Sequence, residues 1–227
     1  SKVADGYNLS DTAPNLIAAD ISVINAVTGA GNDVKVAAGD ANDLTVANYN
    51  TLIARTTVDT WAYSIVDSAS AIVGANGTGS VNGATTISVT DNAAGTLSVA
   101  NYNTLKGLTK PDSNDNWSYA IDDSPSNIDN ELDSGGGDSG GSILGDASSV
   151  TVTGTAAGET LNLQSTAVGS VNYTINMGAG ADSVTGGAGN ETINLGTGDG
   201  AIDTYVFAST DVLNGEDVVT GFERASD

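Results

Sequence analysis

The sequence predicts a mainly β fold, a parallel β-solenoid or β-roll in which short coils of chain stack on one another. Three observations favour this class: an internal repeat of about 56 residues, a second period of nine residues near the C-terminus, and a composition rich in turn-forming residues. No single unit is long enough to bury both of its faces, whereas stacked units share a continuous core. The steps between strands are too long for hairpins, which predicts parallel pairing.

The composition excludes several classes of protein. The 227 residues include 28 Asp and Glu against 6 Lys and Arg, a formal net charge of −22, with neither Cys nor His. Disulfide frameworks, thiolate or imidazole metal sites and His-based triads are therefore excluded. Nucleic-acid binding and membrane insertion are not expected, because clustered cations and long apolar runs are lacking. Disorder is the alternative to a fold at this charge, but the regular spacing of apolar residues favours a fold.

Aromatic residues mark the longer repeat. The markers are Tyr7, Tyr63 and Tyr119, which are 56 residues apart, joined at the same step by Trp61 and Trp117. A second block, residues 44–52, returns as residues 97–105. Such similarity over two separate blocks predicts that the chain repeats one structural unit.

Each unit is predicted to run strand, short helix, strand, short helix. Residues 34–36 and 87–89 alternate in polarity as half-buried strands do, and residues 63–65 form the other strand. Thr45 or Ser98 is placed to cap a two-turn helix with one apolar face.

Three aspartates recur in the repeat, each followed by Ser or Thr where a helix should begin: Asp11, Asp67 and Asp123. Pro14 and Pro125 then fall in the first turn, where proline is tolerated. Helix capping accounts for these aspartates, and metal ligation is the alternative interpretation.

Residues 133–142 are almost entirely Gly, Ser and Asp, which predicts a flexible linker or long loop. A cation-binding loop with Asp133 and Asp138 as ligands is the alternative. The linker divides the chain into three predicted parts. Residues 1–132 hold two solenoid repeats and part of a third, residues 133–142 are the linker, and residues 143–227 form the remaining part.

After the linker the period is nine. Residues 168–203 divide into four nonapeptides whose eighth residue is always Val or Ile. Residues 186–194 resemble the G-G-x-G-x-D-x-U-x nonapeptide of RTX (haemolysin-type) calcium-binding repeats, residues 177–185 lack one Gly of that pattern, and residues 195–203 match more loosely. The resemblance implies a β-roll in which six residues form a turn and three a strand, with two nonapeptides in each coil.

The resemblance also implies a cofactor, Ca²⁺, held by carboxylates and turn carbonyls between alternate nonapeptides. On one edge the sixth positions are Asp182 and Gly200, with Asp199 or Asp203 as a substitute ligand; on the other edge Glu191 is the acid. The implied metal-site residues are Gly178, Gly180, Asp182, Gly187, Gly189, Glu191, Gly196, Gly198, Asp199 and Asp203. The alternative is a calcium-free coil whose glycines serve only to make turns.

The 56-residue unit is similar to repeats of very large secreted bacterial surface proteins, including surface-layer and adhesin-like proteins. Together the resemblances imply a calcium-dependent structural segment at the bacterial cell surface, exported by a type I system. The chain begins without the apolar stretch of a signal peptide, and we expect it to be a fragment or a processed product. The implied partner is a second copy, associating head to tail or laterally, with calcium bridges between the acidic surfaces; a surface glycan is a further candidate partner.

Two alternative functions differ in class. In a carbohydrate- or receptor-binding module, Trp61 and Trp117 would stack on sugars, although their repetition favours a role in the core. A β-helix enzyme acting on polysaccharide would use paired carboxylates such as Asp122 with Asp123, or Asp40 with Asp43. We expect no enzyme, because adjacent residues of a strand face opposite ways and repeated acids are poor candidates for a unique active site.

Overall fold

The computed structural model describes residues 9–20, 22, 24, 33–37, 43–56, 61–108, 117–136, 143–164, 171–207 and 214–222. The chain forms two compact units, Ser1–Ala93 with Thr104–Trp117, and Ala94–Asn103 with Ser118–Asp227. Helices account for 29% of the residues and strands for 30%, so the fold is mixed α/β with parallel sheets. The predicted parallel pairing is confirmed, whereas a mainly β class is not, because the 56-residue units place helices between their strands.

The first unit alternates strands with short helices. Its strands are β1 (Leu9–Asp11), β2 (Val34–Val36), β3 (Ser64–Asp67) and β4 (Thr86–Val89), and its helices are α1 (Ala13–Ala18), α2 (Val46–Ile53), α3 (Ala69–Gly74) and α4 (Gly79–Asn82). Strands β1 and β2 pair in parallel, as do β3 and β4. The described residues follow the predicted order of strand, helix, strand, helix from β2 to α3, whereas two helices, α3 and α4, stand between β3 and β4.

Strand β5 (Ala93–Leu97) and helix α5 (Val99–Leu108) extend across the boundary between the units. The second unit continues with β6 (Ser118–Asp123), α6 (Pro125–Glu131), β7 (Val150–Thr153), β8 (Thr160–Asn162), β9 (Tyr173–Asn176), β10 (Ser183–Thr185), β11 (Thr192–Asn194), β12 (Thr204–Val206) and β13 (Val218–Thr220). A 3-10 turn covers Thr90–Asn92 and a π-helical turn covers Leu132–Gly136. No helix in the described ranges is long and apolar enough to cross a membrane.

From β7 onward, successive strands go alternately to two sheets. One sheet has the order β12-β10-β8, and the other β13-β11-β9-β7-β6-β5. Strand β11 thus pairs with β9 rather than with β10, as the pairing of alternate nonapeptides predicts. Strands β8 to β11 each bury an apolar side chain at their centre: Leu161, Ile175, Val184 and Ile193. Burying such a side chain contributes about 1.5–3 kcal/mol.

The six-stranded sheet extends across the predicted linker. Strand β6 precedes residues 133–142 and β7 follows them, with Ile121 opposite Val150 in parallel register. The linker begins as the π-helical turn, and residues 137–142, including the predicted ligand Asp138, lie outside the described residues. The division into three domains stays a prediction.

Helix capping explains the repeated aspartates, with a shift of one residue. The N-caps are the hydroxyl residues Thr12, Ser68 and Ser124, and each aspartate stands one position earlier. Asp67 Oδ1 accepts the Ser68 N–H at 2.7 Å, while its Oδ2 accepts the Val46 N–H of α2 at 2.9 Å. Because one carboxylate holds the ends of two helices, both of its oxygens are used inside the protein, which leaves the capping interpretation favoured over metal ligation.

Candidate metal centre

Three acidic side chains stand immediately before the three strands of the smaller sheet of the second unit. Glu159, Asp182 and Asp203 precede β8, β10 and β12, and Ser183 is in register with both Thr160 and Thr204. Neighbouring strands in a sheet are about 4.8 Å apart, so the three carboxylates stack along one edge. We refer to Glu159, Asp182 and Asp203 as the acidic ladder.

Backbone N–H groups tie the ladder together. Glu159 N donates to Asp182 Oδ1 at 2.7 Å, and Asp182 N donates to Asp203 Oδ1 at 3.0 Å. Glu159 Oε1 accepts hydrogen bonds from the backbone N–H and the hydroxyl of Thr155. The other oxygens, Asp182 Oδ2 and Glu159 Oε2, are buried and accept no hydrogen bond. The ladder therefore holds two buried oxygen acceptors without a hydrogen-bond donor among the described residues.

The ladder is an unfavourable place for negative charge. Asp182 is only 2% exposed. Burial raises the pKa of Asp182, the charges of Glu159 and Asp203 raise it further, and the hydrogen bond from Glu159 N opposes the rise. No cationic side chain of the described residues is among the groups that act on this pKa. A buried carboxylate normally has a cation or several donors as partners, so an external cation would relieve the cost.

The donor set fits a hard cation. Ca²⁺ takes six to eight oxygen ligands from carboxylates, carbonyls and water, and the ladder presents unsatisfied carboxylate oxygens in a setting without competing cations. In the described part of the chain, no group of three or more acidic side chains already converges as a metal site. Glu159 and Asp182 would therefore supply the carboxylates, with the other ligands coming from groups of other kinds.

Four of the six glycines predicted to build the turns have positive φ: Gly178, Gly180, Gly196 and Gly198. A Cβ on Gly178 would collide with the carbonyl oxygen of Thr155, and a Cβ on Gly196 with that of Gly178. These turns therefore stack so closely that a side chain has no room. Gly187 and Gly189 lack positive φ, but a Cβ on Gly189 would collide with the carbonyl oxygen of Val171.

The ladder corrects the predicted register on this edge. Asp203, not Gly200, lies opposite Asp182, because β12 begins later than a strict nine-residue period allows. Asp199 lies elsewhere: it is exposed, and its carboxylate accepts the N–H groups of Gly180 and Ala201. Those hydrogen bonds lower the pKa of Asp199. Asp199 thus hydrogen-bonds to the backbone of the turns, and Asp203 is the residue that lies in the ladder.

Glu191 is the buried acid of the second edge. Glu191 is 1% exposed, and its Oε2 accepts the Gly187 N–H at 3.1 Å. Its own N–H donates to Asp217 Oδ1 at 2.9 Å, and the other oxygen of Asp217 accepts the hydroxyl of Tyr205. Burial and this hydrogen bond raise the pKa of Tyr205. Metal ligation by Glu191 stays a prediction.

Glu159 was not predicted as a site residue. A signal was available, because residues 154–162 share Gly, Ala, Glu, Thr and Asn with residues 186–194 at the same five positions of the nonapeptide. The segment between β8 and β9 is longer than one nonapeptide and interrupts the period. Asp217 and Tyr205 were missed because only the folded chain brings them together.

The residues of the alternative functions serve the fold. Trp117 is 5% exposed, and Trp61 packs against Tyr49 and Tyr63 with ring centroids 5.7 and 5.0 Å away. Asp122 accepts the Thr153 hydroxyl at 2.8 Å. The other candidates are Asp123, which holds helix ends, Asp43 and Asp133, which are exposed, and Asp40, which lies outside the described residues. These contacts give Trp61, Trp117 and Asp122 structural roles, and the pairing of Asp40 with Asp43 stays a prediction.

The chain matches no protein-family model, no curated protein and no solved structure at a significant level. The acidic ladder is therefore interpreted from its own geometry.

Proposed function

We propose that the chain is a calcium-dependent structural segment of a secreted bacterial surface protein. One observation carries the proposal: the buried Oδ2 of Asp182 accepts no hydrogen bond and stands beside the carboxylates of Glu159 and Asp203. Such a group destabilises the calcium-free fold, and a cation that binds only the folded state would stabilise it by mass action. The net charge of −22 adds general self-repulsion that bound cations would reduce.

The finer architecture is part of the proposal. The alternation of β7 to β13 between two parallel sheets supports a β-roll in the second unit, with one coil for every two strands. The stacked turns and their glycines support the same architecture. We propose that each 56-residue unit is a longer coil of the same kind, in which helices replace part of the turn.

Self-association through the last coil is the proposed route to assembly. All large apolar side chains that are exposed in the described residues lie there: Ile202, Val206, Phe207, Val218 and Phe222. Outward positions that are Thr in β10 and β11 become Val206 and Val218 in the paired strands. The opposite edge of the smaller sheet is covered instead, since Asn162 N donates to Asp129 of α6. An uncovered strand edge with apolar neighbours favours association with a second copy.

We propose secretion and a cell-surface location, and the resemblance to calcium-binding repeats and the supply of calcium outside cells support this part of the proposal. Calcium is scarce in cytosol and abundant outside cells, so a chain of this kind would stay unfolded through export and fold on arrival. A surface layer, an adhesin stalk and a filament are the candidate settings.

Sedimentation velocity tests the proposal. The full chain is compared in chelator and in millimolar Ca²⁺, together with Asp182→Asn and the control Asp43→Asn, which removes one exposed acid of the first unit. We expect calcium to compact the wild-type chain and the control, or to drive their assembly, and to have little effect on Asp182→Asn. Identical sedimentation of the wild-type chain in both buffers would contradict the proposal.

A further inference from the structure

Each 56-residue unit carries a groove at the same place. In one 56-residue unit, α2 and α3 border a groove of about 520 Å³. In the next 56-residue unit along the chain, α5 and α6 border a groove of about 370 Å³. Both volumes lie in the range of small-ligand sites. The same hydrogen bond frames each groove, since Val46 N donates to Asp67 and Val99 N donates to Asp123, both at 2.9 Å. The two grooves are therefore versions of one structural feature.

Their linings differ in chemistry. The helix that follows the aspartate lines the first groove with Ala71, Gly74 and Ala75, and the second groove, 56 positions later, with Asn127, Asn130 and Glu131. Positions i, i+3 and i+4 share one helix face, so all three polar side chains border the same space. The first groove lacks these three polar side chains, and its polar lining comes instead from Asn50, Asp67 and Thr78.

Glu131 is the costly residue of the second groove. Its counterpart Ala75 is 5% exposed, so the second unit places a carboxylate where the first buries a methyl group. Burial raises the pKa of Glu131, and no hydrogen bond or cation of the described residues opposes the rise. Asn127 Nδ2 donates to Asp123 at 2.7 Å, which leaves the Asn127 amide oxygen as an acceptor. The half-buried carboxylate of Glu131, beside the exposed amides of Asn127 and Asn130, suits a donor that carries positive charge.

We propose that the second groove binds a primary ammonium group on an alkyl stem, such as a lysine side chain. Glu131 is the counter-ion, and the amide oxygens of Asn127 and Asn130 accept the remaining N–H groups, since an ammonium has three donors and no acceptor. Val99 and Ala100 lie against the methylene stem, as apolar surfaces commonly do for lysine. A bare metal ion suits the groove less well, because the space is roughly ten times the ~30 Å³ that one water molecule occupies. The groove shares no residue with the acidic ladder, so calcium binding at the ladder and ammonium binding in the groove can fail separately.

NMR titration of the full chain in millimolar Ca²⁺, the buffer in which the proposed function has the chain folded, tests this site. The probe is Nα-acetyl-lysine methylamide, and its Nε-acetylated derivative is the control, with the same stem but no charge. We expect saturable shifts of the amide signals of Asn103, Asn130 and Glu131 with the charged probe alone, and none around Ala71 and Ala75 in the first groove.

Two variants locate the charge. Glu131→Gln preserves the shape of the side chain and should weaken binding about tenfold, the loss of one charge-assisted contact. Asp133→Asn removes an exposed acid two residues away and should change the affinity less than twofold. Equal shifts with both probes, no saturation, or wild-type affinity in Glu131→Gln would overturn the proposal.

A third probe, butylamine, distinguishes the source of the ammonium. Affinity equal to that of the lysine derivative would identify a free amine as sufficient, whereas tighter binding of the lysine derivative would favour a protein chain as the partner. Either result supports the charge-dependent site.

Discussion

Replacing Asp182 by Asn should have opposite effects on stability in chelator and in calcium. The Asn carbonyl oxygen can still accept the N–H of Glu159, which Asp182 Oδ1 accepts at 2.7 Å. The Asn amide nitrogen can donate to Glu159 Oε2, one of the two buried oxygens that accept no hydrogen bond. The substitution also removes one of three neighbouring negative charges. In chelator, the variant should therefore be more stable than the wild-type chain.

The magnitude follows from the unsatisfied atoms. Leaving a buried polar atom without a partner costs about 1–3 kcal/mol, so we expect Asp182→Asn to gain about 1–2 kcal/mol in chelator. Calcium at about 100 times its Kd would stabilise the wild-type chain by roughly 2.7 kcal/mol, whereas the neutral amide is a poorer ligand. The order of stability should then reverse, with the wild-type chain ahead by about 1 kcal/mol.

Urea unfolding in the two buffers measures this reversal, with Asp43→Asn as the control for loss of one exposed acid. The control should follow the wild-type chain in both buffers. A variant that is less stable than the wild-type chain in chelator, or that gains as much from calcium as the wild-type chain does, would refute the reasoning.

Three further predictions concern pH, the turns and the first unit. Because the folded-state pKa of Asp182 is raised above 3.8, the folded state binds its proton more tightly than the unfolded state. In chelator, the stability of the wild-type chain should therefore fall as pH rises from about 4 through the raised pKa. Urea midpoints measured across this range should fall less steeply with pH in Asp182→Asn. An equally steep fall in the two proteins would argue against a raised pKa. Gly178→Ala should lower the free energy of unfolding by several kcal/mol, because the added methyl group meets the Thr155 carbonyl. Gly198→Ala, which has positive φ but open space around it, should lower it by only about 1 kcal/mol. Comparable losses of stability in the two variants would show that close stacking is not the cause. Arg55 Nη1 donates to three carbonyl oxygens at the end of α1, at 2.6–2.8 Å. Arg55→Met should therefore destabilise the first unit by about 1–3 kcal/mol and speed amide hydrogen exchange in α1. Unchanged exchange in α1 would contradict this role.

Local features of the fold could be predicted from the sequence because their signals are local. Thr45 was expected to cap a helix, and its Oγ1 accepts the Asn48 N–H at 3.0 Å. Polarity alternation located β2, and the resemblance to nonapeptide repeats implied that β11 would pair with β9. Each of these depends on a few neighbouring residues or on a fixed period.

The site was harder to predict because it depends on insertions. Two insertions interrupt the nine-residue period, and they place Glu159 and Asp203 opposite Asp182 where a strict period predicts other residues. Contacts such as that between Tyr205 and Asp217 join distant positions with no sequence signal. The helix content was underestimated because the helices are short and their propensity signals are weak.

Calcium binding measured by isothermal titration calorimetry, on the wild-type chain, Glu159→Gln, Asp182→Asn and Asp43→Asn, tests the role of the acidic ladder most directly. The account predicts saturable binding to the wild-type chain and to Asp43→Asn, with at least about tenfold weaker binding when either ladder residue loses its charge. Absence of saturable binding to the wild-type chain, or equal affinity in all four proteins, would contradict it.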